Sequence, residues 1–231
     1  MKTIGLIGGM SWESTAEYYR IINQAVKEKR GGHHSARLVL YSVDFEEIED
    51  LQHRDGWEEL TQLMIDAARR VQGAGADFLL ICTNTMHVMA GEVEESLDIP
   101  LLHIADATAQ EIKGQGLTRV GLLGTRFTME QDFYRGRLEG AYGIEVLVPG
   151  EDDRRAIHAI IYDELCHGIA KAASRELFMR VMDDLVALGA RGIVLGCTEI
   201  PLLIGQNDVG VPVFDTTRIH ALAAVERAVK G

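Results

Sequence analysis

Asp77-Phe78-Leu79-Leu80-Ile81-Cys82-Thr83-Asn84 and Gly192-Ile193-Val194-Leu195-Gly196-Cys197-Thr198-Glu199 are two versions of one element: a short unbroken apolar run, then Cys-Thr, then a polar residue. Such a run, apolar at successive rather than alternate positions, is the pattern of a parallel strand buried on both faces. Two further correspondences flank it. Ile4-Gly5-Leu6-Ile7-Gly8-Gly9-Met10 matches Val120-Gly121-Leu122-Leu123-Gly124-Thr125-Arg126, and Ile99-Pro100 leading to Asp106 matches Val211-Pro212 leading to Asp215. The offsets are 116 from Gly5 to Gly121, 115 from Cys82 to Cys197 and 112 from Pro100 to Pro212, each close to half of the 231 residues. A repeat at that period predicts two equivalent lobes, 1–114 and 115–231, with a boundary near Gly114–Gly116 and the last helix packing back on the first lobe.

Further apolar runs at Thr3–Ile7, Arg37–Ser42, Leu101–Ile104, Arg119–Leu123, Ile144–Leu147 and Val211–Phe214 read as strands. Helical spacing of apolar residues marks Ser14–Lys29, Gly56–Gly73, Arg155–His167 and Ser174–Leu188. Strand and helix in this alternation predict an α/β fold with mainly parallel sheets.

Lys plus Arg is 23 and Asp plus Glu is 35, a net charge of −12. A surface that acidic repels phosphate backbones and anionic lipid, so neither nucleic acid nor a membrane is an expected partner. With 47% hydrophobic and 25% charged residues, the chain has the composition of a folded globular protein, not a disordered one. It shows no apolar segment of spanning length and no signal-peptide pattern at Met1–Met10. Three cysteines without a Cys-x-x-Cys pair predict free thiols in a cytoplasmic protein, with neither a disulfide framework nor structural zinc. The eight histidines lack metal-ligand spacing. Gly-x-Gly-x-x-Gly and the P-loop pattern are absent, and no lysine stands in a pyridoxal context. No cofactor and no metal are therefore expected. Gly5, Gly8, Gly9, Gly121 and Gly124 are expected to serve tight turns and close backbone approach to a small ligand.

Ligands of parallel sheets bind beyond the carboxyl ends of the strands, so each lobe offers one thiol, Cys82 or Cys197, at that edge. If the lobes face each other across a pseudo-twofold axis, the thiols flank one cleft. Inverting a carbon that bears hydrogen demands such a pair. One group removes the proton from one face and the other returns a proton to the opposite face. A free thiol titrates near about 8.5 and is expected to be lowered here by helix starts and nearby positive charge. Thr83, Asn84, Thr85 and Thr198 are expected at those helix starts, offering amide N–H groups and hydroxyls to a carboxylate. Cys166 has no counterpart in the repeat and reads as structural. His87, five residues after Cys82, has two readings, tuning of the site or packing, with packing favoured, and Glu46–Asp50 reads as a solvated helix face.

Four stretches carry a resemblance: Gly8-Gly9-Met10-Ser11-Trp12-Glu13-Ser14-Thr15, Cys82-Thr83-Asn84-Thr85-Met86-His87, Leu122-Leu123-Gly124-Thr125-Arg126-Phe127-Thr128-Met129 and Gly196-Cys197-Thr198-Glu199-Ile200. In order and spacing the chain resembles the aspartate/glutamate racemase family, from about residue 3 to residue 220, and most closely its enterobacterial broad-specificity and L-aspartate/glutamate-specific branch. The resemblance implies two Rossmann-like lobes with the active site in the cleft between them, catalysis by two cysteines without pyridoxal phosphate, and a homodimer. Carried over by position, Cys82 and Cys197 are the catalytic pair. Asn84, Thr85 and Thr198 hold the substrate carboxylate, and Met10 and Thr125 line the cleft. Aspartate racemases bind the side-chain carboxylate with a Lys in an Ile-Tyr-x-x-x-Lys-x-Gly segment and an Arg after the second strand. Here the Lys position is Cys166, in Ile161-Tyr162-Asp163-Glu164-Leu165-Cys166-His167-Gly168, and the Arg region falls at Gln52, His53 and Arg54, with Gln52 taken as the contact. That departure widens the expected substrate from acidic amino acids to related small polar ones. Two other readings stay open: a maleate-type cis–trans isomerase using one Cys as a nucleophile, and a two-lobed sensor that binds an amino acid without turnover.

Overall fold

The computed structural model describes residues 1–230. The chain runs β1 (Ile4–Gly8), α1 (Trp12–Arg30), β2 (Leu38–Ser42), α2 (Phe45–His53), α3 (Trp57–Gly73), β3 (Phe78–Ile81), α4 (Ala90–Glu95) and α5 (Ile104–Gly114). It continues through β4 (Arg119–Gly124), α6 (Arg126–Glu130), α7 (Asp132–Tyr142), β5 (Glu145–Leu147), α8 (Glu151–Asp163), α9 (Ala172–Ala187), β6 (Ile193–Gly196), β7 (Val213–Asp215) and α10 (Thr216–Lys230). Two parallel sheets result, ordered β2-β1-β3 and β5-β4-β6-β7. The fold is α/β, as the sequence pattern predicts. β1, β3 and β6 are buried at every position, which is why they read as unbroken apolar runs. β2 and β5 lie at sheet edges and are partly exposed.

The chain divides into two compact units, Met1–Ile104 with His220 onward, and Ala105–Ile219. The crossing therefore comes at the start of α5, earlier than the glycines at 114–116. α5 is tied to α7 by Arg137 on Asp106 (2.5 and 2.8 Å), by the Tyr134 hydroxyl on Thr108 (3.3 Å) and by Lys113 on the Tyr142 carbonyl (3.2 Å). The return at His220 has an equally plain cause. Ala221, Ala224, Val225 and Ala228 of α10 are buried with Ile4, Leu6, Tyr18, Phe78 and Leu80 on one face of the first sheet. The opposite face is covered by α2 and α3, through Ile48, Leu51, Leu60, Met64, Ala67 and Val71.

The expected strand at Leu101–Ile104 shrinks to one bridge, Leu79 to Leu101. Leu102 N–H still donates to the Leu79 carbonyl (2.8 Å). Beyond it the backbone groups go to imidazoles instead: the Leu102 carbonyl to His220 (2.8 Å) and the Ile104 N–H to His87 (3.2 Å). The helix expected at Arg155–His167 also divides. α8 ends at Asp163, Glu164 leaves helical geometry, and Leu165–His167 form a separate 3₁₀ turn that carries Cys166.

His220 is fully buried, and burial lowers its pKa from 6.5 to about 4. The unfolded chain takes up this proton below 6.5, whereas the folded chain takes it up only near 4. Its contribution to stability is thus complete above the unfolded value and is lost as pH falls toward 4, roughly 3 kcal/mol in all. Melting curves between pH 7 and 4 should fall less steeply for His220→Gln than for the parent; parallel profiles contradict this account.

Candidate active site

In the first unit, Cys82 follows directly on β3, and its N–H continues the ladder to the Ile7 carbonyl of β1 (2.8 Å). Its side chain is fully buried in the apolar cluster with Leu6, Tyr18 and Leu80. Thr83 is half-buried, while Asn84 and Thr85 are buried. Asn84 precedes a 3₁₀ turn, Thr85–Met89, rather than an α-helix. The turn after β1, the strand that pairs with β3, is knitted together by Thr15. Gly9 N–H donates to Thr15 Oγ1 (2.8 Å), whose hydroxyl donates to the Ser11 carbonyl (2.8 Å). Gly9 is needed here: its φ is +94°, and a Cβ would run into the Val43 carbonyl. At Gly9 the close approach is made to the chain's own backbone.

Met10 is buried in the α2/α3 cluster with Ile48, Leu51 and Met86. Gln52 is buried beside it and donates through Nε2 to Met86 Sδ (3.4 Å). Of the three residues around the expected arginine, only Gln52 turns inward, because Arg54 pairs with Glu59 on the surface (3.0 Å). The structure therefore joins Met10 and Gln52 through Met86 but places the Cys82 side chain in the other core cluster.

In the second unit, Cys197 follows β6 as Cys82 follows β3. Thr125 follows the neighbouring strand β4, which pairs Gly124 with Gly196. Thr125 caps α6, its Oγ1 accepting from Thr128 N–H (3.3 Å). Thr198 and Glu199 precede a short 3₁₀ turn, Ile200–Leu202. The Cys197 Sγ–H donates to Glu199 Oε2 (3.0 Å), and the Thr198 hydroxyl donates to the same oxygen (2.8 Å). Glu199 is buried. Cys166 is half-buried and close enough to Cys197 to interact with it electrostatically.

The expectation of lowered thiol pKa values is overturned. Burial pushes the Cys82 thiol up. Cys197 is raised by burial first, then by the charges of Glu199 and Cys166. Two turns too short to sum their peptide dipoles offer little to offset desolvation. Glu199, which the repeat pairs with Asn84, a charge facing a neutral amide at the third residue of each motif, joins the candidate site through its contact with the Cys197 sulfur. His103 and His220, both buried, pack their rings beside His87. Among the described residues, no group of His, Cys, Asp and Glu is arranged to hold a metal, and no helix is long and apolar enough to cross a membrane.

The family model described as Asp/Glu/Hydantoin racemase matches residues 7–224. Over 96% of each chain the sequence is 22% identical to the broad specificity amino-acid racemase RacX of Bacillus subtilis strain 168. A Yersinia pestis crystal structure assigned to the Asp/Glu racemases is 56% identical, with TM-score 0.93 over 99% of this chain and 100% of that one. An aspartate racemase homologue from Pyrococcus horikoshii OT3 is 38% identical, with TM-score 0.86 over 99% and 100%. With a thiol closing the third strand of each unit and a match spanning nearly its whole length, the chain belongs to the Asp/Glu/Hydantoin racemase family and is an enzyme of the racemase class.

Proposed function

We propose that this chain racemises aspartate, glutamate or a related small polar amino acid, using Cys82 and Cys197 as its acid–base pair. The observation that carries the reading is the Cys197 thiol hydrogen-bonded to the buried Glu199 carboxylate, at the strand end equivalent to that of Cys82. Glu199 accepts the Cys197 proton, leaving a thiolate. The thiolate removes the α-proton from one face of the substrate, and the Cys82 thiol gives its own proton to the other face. The enzyme is left with a Cys197 thiol and a Cys82 thiolate, which is the form that processes the opposite enantiomer. Burial raises both thiols and so favours their protonated forms. The substrate's own ammonium group supplies the positive charge that favours a thiolate. Thr83, Asn84 and Thr85, with Thr198 and Thr125, offer amide N–H groups and hydroxyls to the substrate carboxylate and to the enolate-like charge that builds up on it.

Cys166 stands where aspartate racemases carry a side-chain-binding lysine. A half-buried thiol there favours a neutral polar side chain, in keeping with the broad specificity of the Bacillus relative. The test is incubation in heavy water, without added metal or cofactor, with separate L and D forms of aspartate, glutamate, homoserine, serine and methionine. Loss of the α-proton signal by NMR together with inversion on a chiral column is the expected result. No exchange with any of the panel by folded, reduced protein would reject the racemase reading in favour of an isomerase or a sensor.

A further inference from the structure

Behind the Cys82 loop lies a buried cluster of His87, His103, His220 and Tyr18, all in the first unit. Two of its rings have tautomers dictated by their partners. His87 Nδ1 lies 2.8 Å from the Thr83 carbonyl, so it must carry the proton, while Nε2 accepts from the Ile104 N–H at 3.2 Å. His220 has the opposite assignment: Nε2–H donates to the Leu102 carbonyl (2.8 Å), and Nδ1 accepts from the Tyr18 hydroxyl (2.9 Å). The His103 ring packs on His87 at 4.5 Å between centroids, and the His220 ring lies at 5.9 Å. Turning the His87 ring would break both of its hydrogen bonds at once, and two sides of the ring are walled by imidazoles. With both nitrogens committed to backbone, His87 transfers no proton to a substrate.

Its effect falls on one peptide unit. The Thr83–Asn84 bond is trans, and in a trans peptide the C=O and N–H point to opposite sides of the plane. A Thr83 carbonyl held toward His87 therefore turns the Asn84 N–H away from it. We infer that His87 is a positioning residue: it grips the Thr83 carbonyl and so fixes the direction in which the Asn84 amide meets the substrate carboxylate. The inference rests on the racemase reading of the same loop. The Ile104 bond anchors the far edge of the ring to the residue where α5 begins, so the loop takes its orientation from the start of that helix rather than from solvent.

Two substitutions separate the two bonds. In His87→Asn the amide nitrogen takes the place of Nδ1 and keeps the bond to Thr83. In His87→Gln the amide oxygen takes the place of Nε2 and keeps only the bond to Ile104. In the exchange assay, with whichever amino acid the parent turns over, KM should stay within about twofold for Asn and rise about tenfold for Gln, with kcat changing far less. Equal KM values for the two variants overturn the inference while leaving the racemase reading intact. An inactive parent removes that reading itself. Should either variant fail to fold, nitrogen-15 NMR of the parent's histidines decides: His87 is expected as the Nδ1–H tautomer, with its resonance shifting under saturating substrate. The Nε2–H tautomer, or a resonance that does not move, overturns the inference.

Discussion

Cys82→Ala and Cys197→Ser each lose racemisation by about a thousandfold or more, the scale of removing a general acid or base. The replacements follow the surroundings. Cys82 lies in an apolar cluster, where a serine hydroxyl would be buried without a partner at a cost of about 1–3 kcal/mol; alanine leaves only a small void. Cys197 already donates to Glu199, and serine keeps that bond while presenting a far poorer base. With one thiol left, each variant should still wash the α-proton of a single enantiomer into heavy water without inverting it, and the two variants should choose opposite enantiomers. That pairing assigns each cysteine to one hand of the substrate. Parent-level racemisation in either variant, measured by chiral chromatography, rejects the two-thiol mechanism.

Glu199→Gln is expected to lower kcat/KM by about a hundredfold. The amide can still accept a hydrogen bond from Cys197, but it cannot take its proton. The loss must be the same from L to D as from D to L, because enantiomers have equal free energy and the equilibrium constant is one. A variant within about threefold of the parent limits Glu199 to orienting the thiol.

Much of this molecule is legible in the order of its apolar runs. Phe78–Ile81 and Ile193–Gly196 are buried on both faces, so no polar alternation hides them, and each leads straight to its cysteine. What escaped notice depends on contacts far apart in sequence. α5 joins the second unit through pairs such as Arg137 with Asp106, which no local pattern reveals. Leu101–Ile104 has the composition of a strand, yet histidines at positions 87 and 220 take its hydrogen bonds. The thiols are raised where the sequence predicts them lowered because a short 3₁₀ turn and an α-helix begin with the same residues, and only the helix sums its peptide dipoles. Glu199 stood in plain view inside the repeat, but its meaning came only from the 3.0 Å contact with sulfur.

The return of α10 to the first sheet bears on how the chain is made. The second unit is continuous in sequence, Ala105–Ile219, whereas the first is interrupted by it. As the polypeptide leaves the ribosome, Ile4, Leu6 and Phe78 emerge early, but the residues that cover them from His220 onward are synthesised after the whole of the second unit. The lobe begun first is therefore the last to close. Until then α1 alone packs on that face, and the part that α10 later covers stays exposed to aggregation or to a chaperone.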